Sequence, residues 1–125
     1  MRRGIHAIYD FENLIIPTAD INTASEAIFI LMQTICEKYQ IKVVAKNMVV
    51  FSNPDVTPPG FTSCLLLDES HLSFHLYSEL GIAAVDFFSC GNPVRGKQAA
   101  NDFKNCLIEM YPDIKLTDEQ YIERF

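Results

Sequence analysis

A chain of 125 residues, 49% hydrophobic and 21% charged, is one domain by size and carries enough apolar side chains for a core of its own. Its net charge of −6 comes with scattered basic residues and no basic stripe interleaved with aromatics, which argues against nucleic-acid binding. No apolar run approaches the ~20 residues that span a bilayer, and the arginines of the Met1–Gly4 start lead into a strand-like segment rather than a secretory signal, so a cytoplasmic protein with no membrane partner is expected.

His6 to Phe11 reads as a first strand, followed by a loop at Pro17. Thr23-Ala24-Ser25-Glu26 has the form of a capping box, in which the threonine hydroxyl takes an orphan amide and the glutamate reaches back. The helix it opens has Ala24, Ala27, Ile28, Leu31, Ile35 and Tyr39 at the spacing of one buried stripe. Ile41 to Ser52, rich in valine, reads as a strand; Asn53 to Gly60, with three prolines and a glycine, reads as a loop. Thr62 to Asp68 is an apolar strand. His71 to Tyr77 alternates, with Leu72, Phe74 and Leu76 on one face and His71, Ser73, His75 and Tyr77 on the other. Ala83 to Ser89 is a further strand between Gly81 and Gly91, and Gly96 to Tyr111 a second helix stopped before Pro112. The tail from Thr117 to Phe125 reads as a short helix with Thr117 as cap and Gln120 at the box position. This order predicts an α+β fold, a two-layer sandwich with an antiparallel sheet and both helices on one face. The histidine face of the sheet is left for chemistry or for a partner subunit.

Four cysteines, Cys36, Cys64, Cys90 and Cys106, show no CxxC pair and no zinc spacing. Cys36, Cys64 and Cys106 read as buried free thiols. Cys90 differs, because it closes a strand just before Gly91. His71 and His75 form HxxxH, but a strand holds those rings far apart and no carboxylate has metalloprotease spacing, so no metal site is expected.

The most specific signal is the run from Leu65 to Gly91. In it Glu69-Ser70-His71 stands at a strand end, a second histidine, His75, comes five residues after Ser70, and Cys90 comes twenty after it. Singly these are ordinary residues: a serine at a strand end usually caps or turns, and Glu79 alone would be a surface carboxylate. His71 reads as support for the turn, Ser73 as a second polar group on the His75 face, Asp86 as a satisfied core carboxylate, and His6 and Asp10 as structural. Jointly, the pattern resembles the self-processing site of the short prokaryotic, pyruvoyl-dependent S-adenosylmethionine decarboxylases. The resemblance runs from Gly4-x-His6 to the second helix.

That resemblance implies a proenzyme of one domain, residues 1–125, cut between Glu69 and Ser70 into a β chain, 1–69, and an α chain, 70–125. Decarboxylating an α-amino acid needs an electron sink, and where no bound cofactor supplies one a chain can make a covalent pyruvoyl group from a serine. Ser70 then resembles the pyruvoyl precursor that forms the Schiff base with substrate, His75 the processing histidine, and Cys90 the general acid. Thr62, after Gly60-Phe61, resembles a hydroxyl that assists processing, and Glu79 the carboxylate that holds the substrate ribose. The resemblance also implies S-adenosylmethionine as substrate, a product used in spermidine synthesis, and a homodimer of cleaved protomers with active sites near the interface.

Two departures bear on the substrate pocket. His75-Leu76-Tyr77-Ser78-Glu79 stands where the family commonly has His-Thr-Trp-Pro-Glu, so Tyr77 replaces a tryptophan beside the substrate. The stretch from Phe51 to Pro59 differs from the family's loop, leaving Phe51 or Phe61 to stack on adenine. These departures keep open a pyruvoyl enzyme of the same family acting on ornithine or arginine. A non-catalytic homologue that regulates an active partner is the third reading, disfavoured by the retention of Ser70, His75 and Cys90 together.

Overall fold

A computed structural model describes residues 3–53 and 55–125; Met1 and Arg2 of the arginine-bearing start, and Pro54 of the proline loop, lie outside them. The elements run β1 (Gly4–Glu12), α1 (Ile21–Lys38), β2 (Val43–Phe51), β3 (Gly60–Leu67), β4 (Ser70–Tyr77), β5 (Ile82–Cys90), α2 (Pro93–Met110) and β6 (Lys115–Arg124). The six strands form one sheet in the order β2-β3-β4-β5-β1-β6. Every neighbouring pair is antiparallel. No helix among the described residues is long and apolar enough to cross a membrane.

The two-layer sandwich expected from the pattern is observed. Strand alternation puts Tyr9, Phe11, Leu65, Leu72, Phe74, Val85 and Phe87 on one face, all essentially inaccessible. Ile21, Ile28, Met32 and Ile35 of α1 and Ala99, Ala100, Phe103 and Leu107 of α2 bury against them. Phe61 stacks on Phe74 with ring centroids 5.4 Å apart, so trimming Phe74 to alanine would cost about 3–5 kcal/mol.

Three boundaries differ from the sequence reading. Helix α1 starts at Ile21, directly out of a 3-10 turn at Thr18–Asp20, and Thr23 lies inside its first turn, so the capping box is not used. Burial of Ile21 moves the start upstream, and Met32 rather than Leu31 completes the inaccessible stripe. Helix α2 starts at Pro93, not Gly96. The Asn92 side chain accepts from the amides of Val94 and Arg95 at 3.0 and 3.2 Å, and proline at the first helical position forfeits only an amide that had no partner.

The third difference is the tail, which is strand β6 and not a helix capped by Thr117. Without it, the outer edge of β1 would present a row of unpaired amides and carbonyls beside the core. Pairing from Gly4↔Arg124 to Glu12↔Lys115 satisfies that edge, and the Thr117 hydroxyl donates to the Asp10 carbonyl at 3.1 Å. Tyr121 supplies a further anchor through the hydrogen bond between its hydroxyl and that of Tyr9 at 2.9 Å.

Candidate active site

The chemistry-bearing residues fall at the two ends of β4. At its start, β3 and β4 join through Asp68-Glu69, with Leu67 paired directly to Ser70. So short a connection needs a left-handed residue, and Glu69 takes that role at φ 61°. A non-glycine residue held there costs of order 1–3 kcal/mol, and it is the residue just before Ser70. The Cys90 amide donates to Ser70 Oγ at 2.8 Å, fixing the hydroxyl at the turn. Ser70 and Cys90 line a cavity of about 280 Å³ with Glu69, Ser89, Gly91 and Arg95.

At the other end, Thr62 and His75 face each other across β3 and β4, and Thr62 Oγ1 is hydrogen-bonded to His75 Nδ1 at 3.0 Å. A cavity of about 300 Å³ opens there, lined by Phe51, Thr62, His75, Tyr77 and Glu79 together with Pro58 and Pro59 of the loop. Aromatic and apolar walls with a few polar groups suit a mixed organic ligand. Gly60 allows this arrangement, because a Cβ there would stand 2.1 Å from the Leu76 carbonyl oxygen. Of the two aromatics considered for stacking, Phe51 lines this cavity; Phe61 is 1% exposed on the helix side and is excluded from it.

Ser78 closes the same end of the sheet. Its hydroxyl and its backbone amide both donate to the Pro59 carbonyl, at 2.7 and 3.2 Å. This pair of bonds ties the proline loop to the β4–β5 turn, and a proline at position 78 could make neither. The departure in sequence is thus compensated within the structure. It went unread because only the fold shows what Ser78 meets.

Between the ends runs the open face of the sheet. His6 Nε2 donates to Asp86 Oδ1 at 3.0 Å, and the rings of His6, His71 and Phe88 meet edge to face or tilted within about 6 Å. His71 therefore belongs to this cluster rather than supporting the turn. Burial, reinforced by the neighbouring His6, pushes its pKa below the ordinary 6.5. Asp86 is partly exposed on this face and is not a core carboxylate. Of the cysteines, Cys36 alone among the three read as buried is fully so, and burial pushes its thiol up to about 12; Cys64 and Cys106 are half-buried.

Ser70 and His75 do not meet within one protomer. They are five residues apart on one strand, so their side chains leave opposite faces, and the separation along the strand is roughly 16 Å. Cys90 and Ser70 are brought together; Thr62, His75, Tyr77, Glu79 and Phe51 are brought together; the two groups stand apart.

A family model described as S-adenosylmethionine decarboxylase matches residues 5–118. The chain is 29% identical over 120 residues to the S-adenosylmethionine decarboxylase proenzyme of Hydrogenobaculum sp., covering 96% of this chain and 84% of that protein. It is 43% identical over 65 residues to the proenzyme of Symbiobacterium thermophilum, covering 52% of this chain and 46% of that protein. Among solved structures, the adenosylmethionine decarboxylase of Aquifex aeolicus superposes with a TM-score of 0.71 at 24% identity, over 98% of this chain and 91% of that one. Identity at that level speaks for a shared fold.

Proposed function

The chain belongs to the S-adenosylmethionine decarboxylase family, and we propose that it is a self-processing enzyme that cuts itself between Glu69 and Ser70 and then decarboxylates S-adenosylmethionine. The observation that carries the reading is the turn itself. A left-handed Glu69 precedes a serine whose hydroxyl is pinned by the Cys90 amide at the rim of a cavity. This combination fits a peptide bond to be broken by its own neighbour, and the same half-buried place suits the group left behind.

In processing, Ser70 Oγ attacks the Glu69 carbonyl carbon, and the acyl group passes from nitrogen to oxygen. Loss of the Ser70 Cα proton then expels the Glu69 carboxylate, and hydrolysis leaves a pyruvoyl cap on residues 70–125 with release of ammonia. When formed, that cap supplies the electron sink for decarboxylation. Cys90, whose amide binds Ser70 Oγ and which lines the same cavity, is the residue we assign to return a proton to the substrate carbon. Glu79 lines the second cavity with Phe51 and Tyr77, which supports its accepting hydrogen bonds from ribose hydroxyls between aromatic walls. Thr62 holds the His75 ring in one orientation.

The separation of the two groups supports a homodimer. His75 reaches the neighbourhood of a Ser70 only if a second copy brings the Thr62–His75–Glu79 end of its sheet to the Ser70–Cys90 end of the first. In a twofold dimer this happens twice, once at each end.

Intact-mass measurement of the purified protein tests the cleavage. Fragments 1–69 and 70–125, the second capped by pyruvoyl, are expected; uncut chain after long incubation, or a downstream piece with a free amino-terminal serine, would defeat the proposal. The relatives favour S-adenosylmethionine over the ornithine and arginine that the altered Tyr77-Ser78 segment left open. Labelled CO2 release from each of the three substrates decides between them, with S-adenosylmethionine expected alone to turn over.

A further inference from the structure

Arg95 is an unexplained resident of the Ser70 cavity. It sits in the first turn of α2 and lines the cavity with Glu69, Ser70, Ser89 and Cys90. Its Nε is buried and has no hydrogen-bond partner among the described residues, and none of the ion pairs found among them involves it. A buried guanidinium donor without an acceptor carries a larger desolvation penalty than a neutral donor would.

The fold holds Arg95 there firmly. Asn92 caps α2 by accepting the Arg95 amide. One residue on, Gly96 lets the helix approach the sheet so closely that a Cβ would lie 2.8 Å from Ile5 Cγ2 and 2.9 Å from Ser89 Cβ. Arg95 is thereby set beside the ends of β4 and β5, where the scissile bond lies. The other cation lining the cavity, Lys42, is exposed and well hydrated.

The uncut chain offers Arg95 no full charge from the scissile peptide, but processing creates one. After the acyl shift, Ser70 carries a free amine and an ester to Glu69. Elimination takes the Ser70 Cα proton to a base, and that electron pair becomes the Cα–Cβ double bond. The Cβ–Oγ bond breaks, and its electrons leave on the Glu69 main-chain carboxylate. We propose that Arg95 receives this leaving carboxylate, so that the orphaned donor of the precursor becomes half of a charge-assisted pair as the ester collapses. The proposal rests on cleavage at Glu69–Ser70 and deepens it. Arg95 acts on the second chemical step and leaves the acyl shift to the strained turn.

The test is a time course of freshly folded Arg95→Gln, with samples split and half treated with hydroxylamine before mass measurement. Hydroxylamine cuts an accumulated ester to give Glu69 hydroxamate and a downstream piece beginning with serine. Spontaneous processing instead gives the pyruvoyl piece, lighter by one ammonia. We expect pyruvoyl formation roughly ten- to a hundredfold slower than in the unaltered chain, with ester accumulating in its place, as loss of a charge-assisted hydrogen bond predicts. Arg95→Lys should recover part of the rate. Pyruvoyl formation at the unaltered rate would overturn the role of Arg95 while leaving self-cleavage standing. A variant that stays uncut and hydroxylamine-resistant would also overturn it, since the acyl shift would then be the step affected. An unaltered chain that never cuts removes the processing reading and Arg95 with it. If thermal melting shows Arg95→Gln to be unfolded, Arg95→Met is read in the same way.

Discussion

The two ends of β4 are built on the same strand and do different things. Its first residue follows a left-handed turn and is held by a backbone amide from β5, in a cavity edged by charged groups. Its far end carries a histidine clasped by a threonine and opens on a cavity with aromatic and proline walls. Under the proposed function the first end breaks and holds a backbone bond and the second grips an organic ligand. A strand cannot bend its ends together, so under the proposed function a second copy of the chain unites the two tasks.

The largest effect expected is from Ser70→Ala, which removes the nucleophile; intact mass should show full-length chain only, however long the incubation. Cys90→Ala should leave both fragments but slow decarboxylation roughly 10²–10⁴-fold, the range of a lost general acid. Mass measurement during turnover should also show the cap converting to alanine through misplaced protonation. Normal turnover in that variant would remove Cys90 from the chemistry. Glu79→Gln belongs to the other end, so it should cleave normally and raise KM for S-adenosylmethionine by about ten- to a hundredfold. A cleavage defect there would blur the division between the ends.

Mixed dimers sharpen the comparison directly. Ser70→Ala and His75→Ala are each expected to fail in processing alone. Co-folded in equal amounts, half the dimers are mixed and one of the two sites in each is intact, so about a quarter of the sites should form pyruvoyl. No cleavage in the mixture would mean that His75 acts within its own chain, against the spacing along β4.

The smallest effect concerns the open face. His71 in the folded chain binds its proton below 6.5, whereas the unfolded chain binds it near 6.5. Between those values the unfolded state holds more protons, so folding stability is full above the unfolded value and falls as pH drops through this window. Denaturant midpoints of the Ser70→Ala protein, measured downward from about pH 8, should fall as pH drops below 6.5, and His71→Gln should flatten that slope.

Much of this was legible beforehand because strands β3, β4 and β5 alternate cleanly, and alternation assigns faces without knowledge of partners. The grouping of Ser70 with Cys90 and of Thr62 with His75 was not legible. It depends on register, on Leu67 pairing with Ser70 and Thr62 with His75. Ser78 and Arg95 escaped notice because their meaning lies in what they face, the Pro59 carbonyl and the Ser70 cavity. The tail misled because a capping-box pattern at Thr117 and Gln120 is weak local evidence, and the unpaired edge of β1 outweighs it.

The amino-acid order alone determined the alternating faces, the serine at the hairpin, and the distances in sequence to His75, Glu79 and Cys90, because periodicity and spacing are properties of a single chain. Only the tertiary structure decided that the last ten-residue segment is a strand, that Glu69 takes a left-handed backbone, and that the Nε of a half-buried Arg95 is left without a hydrogen-bond partner among the described residues. Those depend on edges, turns and cavities that exist only once distant segments have packed, and their energies are set by the neighbours they acquire.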